Sequence, residues 1–137
     1  MVVGAVFLLV GILGFVPGIT TNYGDMAFAG HDSLAKLLGL FQVSVLHNLV
    51  HIAFGVAGLA LAAKHGAARM YLMIGGFIYL VLAFYGFAVG NGSANFVPLN
   101  TADDVLHLVL GLGMLVLGAA GQRLRRDDPS LGSGRAF

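Results

Sequence analysis

The sequence has no cysteine and no tryptophan, and only 9% of its 137 residues are charged. Without cysteine the chain can form no disulfide framework, no thiolate metal site and no cysteine nucleophile. A soluble domain usually carries charge on about a quarter of its residues, so this shortage excludes an ordinary soluble protein. The few basic residues sit at particular places along the chain and do not suggest a nucleic-acid partner.

Apolar residues and glycine are correspondingly abundant. The chain is 58% hydrophobic, contains 21 glycines and has a mean hydropathy of +0.92. A helix needs roughly 20 apolar residues to cross the hydrocarbon core of a bilayer. Four apolar segments predict helices over about residues 1–17, 37–63, 68–89 and 102–122. We therefore predict an all-α, integral membrane four-helix bundle over residues 1–122, with a basic and disordered tail over 123–137.

Lysine and arginine are concentrated on one side of the predicted bundle. That side holds Lys64, Arg69 and the arginines of the tail, whereas the other side has only Lys36 among several aspartates. The positive-inside rule then makes both termini cytoplasmic and the protein multi-pass. The tail begins with a basic group that is expected to hold anionic lipid headgroups at about 1 kcal/mol per charge, formed by Arg123, Arg125 and Arg126.

Polar residues interrupt the second apolar segment in the stretch VSVLHNLVHIAFG, residues 43–55. On a helix, His47 and His51 share one face, and that face continues as glycines further along. Small and polar residues on one face are typical of membrane helices that pack closely. The fourth segment has a similar face around His107. The residues predicted for helix packing are Ser44, Asn48, Gly55, Gly58, Gly111 and Gly118.

The two polar faces also belong to an internal repeat. HNLVHIAFGVAGLALA at 47–62 aligns with DDVLHLVLGLGMLVLG at 103–118, and FVPGITTN at 15–22 aligns with FVPLNTAD at 96–103. This pattern predicts two tandem transmembrane hairpins related by a pseudo-two-fold axis along the membrane normal. The alignment pairs His51 with His107. The pair has equal depth only if the second helix begins in the preceding loop, so residues 31–42 are expected to form an interfacial lead-in.

Three interpretations of the histidines stay open. Hydrogen bonds to neighbouring helices would contribute about 0.6 kcal/mol each. His51 and His107 could instead be the axial ligands of a haem b, with glycines making room for the porphyrin. In the third interpretation His47 joins them to hold a copper or zinc ion, with Asp103 or Asp104 as a ligand or as its support. Asn48 follows His47 directly, which excludes a metalloprotease helix.

Other residues near these faces have structural interpretations. Asp103 and Asp104 open the fourth helix, where acidic side chains cap exposed amides and suit the helix dipole. Met114, on the face of His107, is assigned to the core. The aromatic residues in the middle of the third segment are expected to pack or to face lipid, namely Phe77, Tyr79, Phe84 and Phe87.

Four segments together carry a family resemblance: GFVPGITTNY, AKLLGLFQVSVLHNLVH, FGVAGLALA and NFVPLNTADDVLHLVLGLGM. They resemble the small bacterial integral membrane proteins, found mainly in actinobacteria, that are known as the domain of unknown function numbered 4383. The resemblance runs from about Val3 to about Ala120. It implies four membrane-embedded helices and no established activity, so it transfers no catalytic residue.

The sequence therefore favours a non-enzymatic role. We expect a structural or accessory subunit that acts through helix packing, either as a homo-oligomer or within a larger membrane complex. The alternative is a membrane protein that binds haem b, copper or zinc through His47, His51 and His107 and takes part in electron transfer.

Overall fold

A computed structural model describes the backbone of residues 1–127 and the side chains of residues 1–121. The chain is mostly helical, and the prediction of four helices is confirmed: α1 (Val2–Leu13), α2 (Val45–Leu61), α3 (His65–Val89) and α4 (Thr101–Asp127). The α1–α2 loop adds three short strands, β1 (Thr20–Thr21), β2 (Lys36–Leu37) and β3 (Phe41–Gln42), and a 3-10 helix, Tyr23–Asp25.

The predicted basic tail begins inside α4, which continues to Asp127. The arginines expected to bind lipid headgroups, Arg123, Arg125 and Arg126, fall on this last part of the helix, and their side chains lie outside the described residues. Residues 128–137 lie outside them altogether.

The helices form two antiparallel hairpins, α1 with α2 and α3 with α4. Glycines allow the backbones within each hairpin to touch. A Cβ atom added to Gly55 would lie 2.4 Å from the backbone nitrogen of Leu8, and one added to Gly111 would lie 2.9 Å from the carbonyl oxygen of Gly76. Both distances are shorter than real Cβ atoms show. The remaining two predicted packing glycines also lie at helix contacts, Gly58 against Gly4 and Tyr71, and Gly118 against Met73.

A small antiparallel sheet replaces the helical lead-in expected over residues 31–42, so that expectation is wrong. Leu37 of β2 pairs with Thr20 of β1 on one side and with Phe41 of β3 on the other. Between β2 and β3, Leu38 and Gly39 have φ angles of 55° and 70°. A helix cannot continue through residues in this left-handed region.

Helix α2 consequently begins at Val45 and not at residue 37. Ser44 is its N-cap, and the Ser44 hydroxyl accepts a hydrogen bond of 3.1 Å from the backbone N–H of His47. The amides of Val45 and Leu46 donate to the carbonyls of Ala27 and Phe28. The start of α2 is thus held by the preceding loop.

The two long loops meet at one end of the bundle. The Gly30 N–H donates to the Phe96 carbonyl at 2.8 Å, and the Asn100 side-chain amide donates to the Leu40 carbonyl at 2.8 Å. We call residues 14–44 and 90–100 the cap. It covers the ends at which α2 and α4 begin, and a second, smaller core lies beneath it around Ala35, Leu37 and Val43.

The main core joins the two hairpins through Phe7, Tyr79 and Met114. Phe7 of α1 stacks on Tyr79 of α3, with ring centroids 5.1 Å apart. Met114 is only 2% exposed, which confirms its assignment to the core.

The outside of the helices is apolar and the inside is partly polar. By length and composition two helical segments could span a membrane, His65–Val89 and Thr101–Gly121, while α1 and α2 are shorter apolar helices. Large apolar side chains are exposed on all four helices, among them Leu9, Val56, Phe77, Phe84, Val109 and Val116. Among the described side chains of α2 and α4, the buried polar ones are His47, Asn48, His51, Asp103, Asp104 and His107.

Candidate functional site: a buried histidine cluster

Three buried histidines meet beneath the cap. His47 and His51 lie one turn apart on α2, and His107 lies on α4. One ring nitrogen of each histidine lies within 4.8 Å of the other two. The helices begin at Val45 and Thr101, so His51 and His107 are each the seventh residue of their helix. We call these three residues the histidine cluster.

Hydrogen bonds fix the tautomer of His51. Its Nδ1 atom lies 3.1 Å from the carbonyl oxygen of His47, and because that oxygen can only accept, Nδ1 carries the proton. Nε2 is therefore an acceptor, and the Tyr79 hydroxyl donates to it at 3.2 Å. A metal ion would have to bind His51 at Nε2. A second ring nitrogen that donates to a carbonyl is the usual support of a metal-ligating histidine.

His47 and His107 each bury a ring nitrogen that has no hydrogen-bond partner among the described residues. The atom is Nδ1 in both cases. The His47 ring stacks on the His51 ring with centroids 4.6 Å apart, and the His47 and His107 centroids are 6.1 Å apart. A buried polar atom without a partner costs about 1–3 kcal/mol. Hydrogen bonding within the described part of the chain thus leaves part of the cluster unsatisfied.

Tyr79 is the side chain at the histidine cluster that the sequence interpretation missed. It was expected to pack or to face lipid. It does pack in the main core, with 4% of its surface exposed, and it also contacts two of the three histidines. Besides its bond to His51, its ring meets the His107 ring edge to face at 4.8 Å. Its position on α3 is a signal that could have identified it. The buried face of that helix otherwise consists of Gly75, Gly76, Ala83 and Gly86.

The two aspartates lie outside the group of ligand atoms that the histidines form. Oδ2 of Asp103 accepts hydrogen bonds from the backbone N–H groups of Gln42 at 2.9 Å and Asn100 at 3.0 Å. The Asn100 side-chain oxygen accepts from the Asp103 N–H at 3.0 Å, which forms a reciprocal helix cap. Asp103 thus connects α4 to the two loops of the cap, residues 14–44 and 90–100.

Asp104 packs its carboxyl group against Gly86 of α3. Its Oδ1 atom is buried and has no hydrogen-bond partner within the described residues. In the first hairpin the side chain of Asn48 lies against Gly14, the residue that follows α1. The Asn48 amide also donates to the sulfur of Met26 at 3.8 Å.

A cavity of about 210 Å³ lies beside the histidine cluster, between α2 and α3. The three histidines, Ser44 and Tyr79 supply the polar part of its wall, and the described residues that line it include no Asp, Glu, Lys or Arg. Val50 and Phe96 also line it and are 46% and 63% exposed. The cavity therefore reaches the apolar outer surface of the bundle.

Comparison with known proteins identifies the family of this chain but assigns no activity to it. No curated protein and no solved structure is significantly similar to this chain. One family model, described as a domain of unknown function (DUF4383), matches residues 1–120. This match covers both hairpins, the cap and the whole histidine cluster. The chain therefore belongs to the DUF4383 family, a domain of unknown function.

Proposed function

We propose that this protein is an integral membrane protein that binds a divalent transition-metal ion, zinc or copper(II), at the histidine cluster. The observation that carries the proposal is the arrangement of His47, His51 and His107, with three buried ring nitrogens within 4.8 Å of one another. In addition, the buried Nδ1 atoms of His47 and His107 have no hydrogen-bond partner among the described residues.

The apolar outer surface supports insertion in a membrane. Soluble proteins rarely expose large contiguous apolar surface. The α4 segment Thr101–Gly121 is about 32 Å long at 1.5 Å per residue, enough to cross a hydrocarbon core of about 30 Å. The positive-inside rule then puts the cap outside and the turn around Lys64 in the cytoplasm.

The contacts between helices support the proposed repeat. Asn48 lies against Gly14 of the first hairpin, and its aligned partner Asp104 lies against Gly86 of the second. Gly55 touches α1 at Leu8, and its aligned partner Gly111 touches α3 at Leu80. A pseudo-two-fold axis between the hairpins accounts for both equivalences.

The donor atoms favour zinc or copper(II) over softer ions. Imidazole suits zinc and copper, whereas copper(I) prefers sulfur ligands. Zinc binds histidine nitrogen at about 2.0–2.1 Å, so two nitrogens on one tetrahedral ion are roughly 3.3 Å apart. Binding would therefore require the side chains to rotate until their nitrogens, now within 4.8 Å of one another, are about 3.3 Å apart. Three protein ligands next to a cavity leave a fourth position for an external ligand, as in catalytic zinc sites.

A metal ion fits the site better than haem b does. The cavity of about 210 Å³ is smaller than the 300–1,000 Å³ typical of pockets for drug-sized ligands. Tyr79 also occupies the space next to His51 and His107 that a porphyrin would need. The structural or accessory-subunit role and self-association remain predictions, and they are compatible with a metal site.

The test is metal binding by the full-length protein purified in mild detergent. After chelation and dialysis, Zn²⁺ and Cu²⁺ are titrated, and Co²⁺ is added to read the coordination geometry from its visible absorption. We expect one ion per chain and nitrogen scattering at about 2.0 Å in X-ray absorption. His51→Gln and His107→Gln should each weaken binding at least tenfold.

The matched control is His65→Gln. His65 lies at the start of α3, at the opposite end of the bundle, where its Nε2 atom is 3.4 Å from the Gly121 carbonyl oxygen. This variant should bind metal as the unmodified protein does. A folded protein that binds no stoichiometric ion, or that loses the ion equally in all three variants, contradicts the proposal.

A further inference from the structure

We infer that the cavity beside the histidine cluster binds a neutral, lipophilic molecule with a single oxygen-substituted ring, of the phenol or quinone class, that enters from the bilayer. The inference rests on the proposed membrane location and metal site. Four features of the cavity support it, namely its size, its lack of charge, its aromatic wall and its opening.

The size of the cavity selects one ring. An apolar cavity of about 150 Å³ in another protein accommodates benzene. A cavity of about 210 Å³ has room for one six-membered ring with small substituents. A longer apolar tail would have to remain outside, in the lipid.

The chemistry of the wall selects a neutral ligand with an oxygen that can accept a hydrogen bond. None of the described lining residues is an Asp, Glu, Lys or Arg, so an ionic ligand would lose its hydration without gaining a partner of opposite charge. The polar groups come from His47, His51, His107, Tyr79 and Ser44. When an ion occupies Nε2 of His51, the Tyr79 hydroxyl is released and can donate to a ligand oxygen.

Aromatic side chains favour a ring over an aliphatic chain. Phe54, Tyr79 and Phe96 all line the cavity. Aromatic pairs in offset or edge-to-face contact contribute about 0.5–1.5 kcal/mol beyond simple burial. An aliphatic chain would gain only the burial.

The opening of the cavity faces the outer surface of the helices. Val50 on α2 and Phe96 in the cap are exposed lining residues, and Ile78 and Leu82 of α3 line the same cavity. All four are apolar. A lipophilic ring therefore has a route between α2 and α3 that meets no charged group on these positions.

The experiment titrates decylubiquinone into the zinc-loaded, full-length protein in detergent, followed by calorimetry with a micelle blank. Decanol serves as a probe with a comparable chain and no ring. We expect saturable binding of one decylubiquinone per chain and none of decanol. Equal binding of both probes, or no saturable binding of decylubiquinone to zinc-loaded protein, overturns the inference.

Three variants locate the binding. Val50→Trp fills the opening and should weaken decylubiquinone at least tenfold, while Val56→Trp, a matched substitution on α2 at a residue that is 54% exposed and outside the cavity lining, should change it less than twofold. Tyr79→Phe removes the donor and should weaken the quinone about two- to tenfold. Equal effects of both tryptophans would contradict the assigned opening.

Metal content measured on the same samples separates the two proposals. If zinc binds and decylubiquinone does not, only the inference of a ring ligand is overturned. If zinc does not bind, the metal site fails, and the same titration on metal-free protein decides whether the cavity takes the ring.

Discussion

The Tyr79 hydroxyl of α3 donates a 3.2 Å hydrogen bond to Nε2 of His51 on α2, which connects the two hairpins at the histidine cluster. The proton on Nδ1 leaves Nε2 as the only ring lone pair that His51 can offer. The hydroxyl group and a metal ion therefore compete for the same atom.

Tyr79→Phe should lower the stability of the metal-free protein but raise its affinity for zinc. Without zinc, the variant leaves a buried nitrogen without a donor and should lose about 1–3 kcal/mol of unfolding free energy. With zinc the loss should be smaller, because the ion occupies that nitrogen. Zinc affinity should then rise about tenfold for each 1.4 kcal/mol by which the loss of stability without zinc exceeds the loss with zinc. Unfolding with and without zinc, and direct titration, measure both quantities.

Tyr71→Phe is the control for this prediction. Tyr71 is also on α3, and its hydroxyl donates to the Phe54 carbonyl at 3.0 Å, outside the cluster. This variant should lose similar stability with and without zinc and keep its zinc affinity. Unchanged or weaker zinc binding by Tyr79→Phe would show that the hydroxyl does not compete with the ion.

Gly111→Ala should destabilise the bundle by about 1–3 kcal/mol, the usual cost of overpacking. The new Cβ atom would lie 2.9 Å from the backbone oxygen of Gly76, which cannot move aside alone. Gly113→Ala on the same helix has nothing within 4 Å of the new atom and should be neutral or gain up to about 1 kcal/mol from helix propensity. Thermal unfolding in detergent compares the two, and equal effects would argue against the close contact of α3 and α4.

Asp103→Ala should loosen the cap. It removes the acceptor of the Gln42 and Asn100 amides, and a typical hydrogen bond contributes about 0.5–1.5 kcal/mol. Asp32→Ala, at a residue whose side chain is 86% exposed, is the control and should change stability little. Zinc stoichiometry should remain at one ion in both variants, because Asp103 lies outside the ligand group. Loss of the ion in Asp103→Ala would make that carboxylate a ligand.

Zinc affinity should decrease as the pH is lowered. Each imidazole must be unprotonated to bind the ion, so protons compete with zinc and acid releases it. Titrations at several pH values with a competing chelator measure the slope. A flat affinity across the acid range would be inconsistent with ligation by histidine.

The proposed topology can be tested with single cysteines, since the sequence has none of its own. In intact cells a membrane-impermeant maleimide should label Asp32→Cys and Ser93→Cys, which lie in the cap. Lys64→Cys, in the turn between α2 and α3, should react only after permeabilisation. Labelling of all three sites in intact cells would contradict the assignment.

Periodicity and hydropathy were sufficient to predict four helices, the face that His47 and His51 share on the second, and a similar face around His107 on the fourth. They misplaced the start of α2, because Leu37 to Val43 is as apolar as the helix that follows. The local backbone determines this boundary. Leu38 and Gly39 have positive φ angles, and the Ser44 side chain forms the N-cap hydrogen bond of α2. Apolar content does not report such features.

The sequence also indicated that the three histidines could form one site, but it did not indicate that Tyr79 contacts them. Tyr79 lies on another helix, and its distance to His51 depends on how the hairpins pack, which no single-helix pattern contains. The same limit applies to Asp103 and Asp104. Adjacent in sequence, they point to different neighbours, one to the cap amides and one to Gly86.

The bonds from the amides of Val45 and Leu46 to Ala27 and Phe28 bear on the order of assembly. In the proposed membrane setting, the first turn of α2 has its partners only after the preceding loop has crossed the bilayer and closed. His47, which lies on that turn, reaches its final position at the same moment. Loading of the ion would then be a late event in biogenesis, and it would follow insertion of both hairpins.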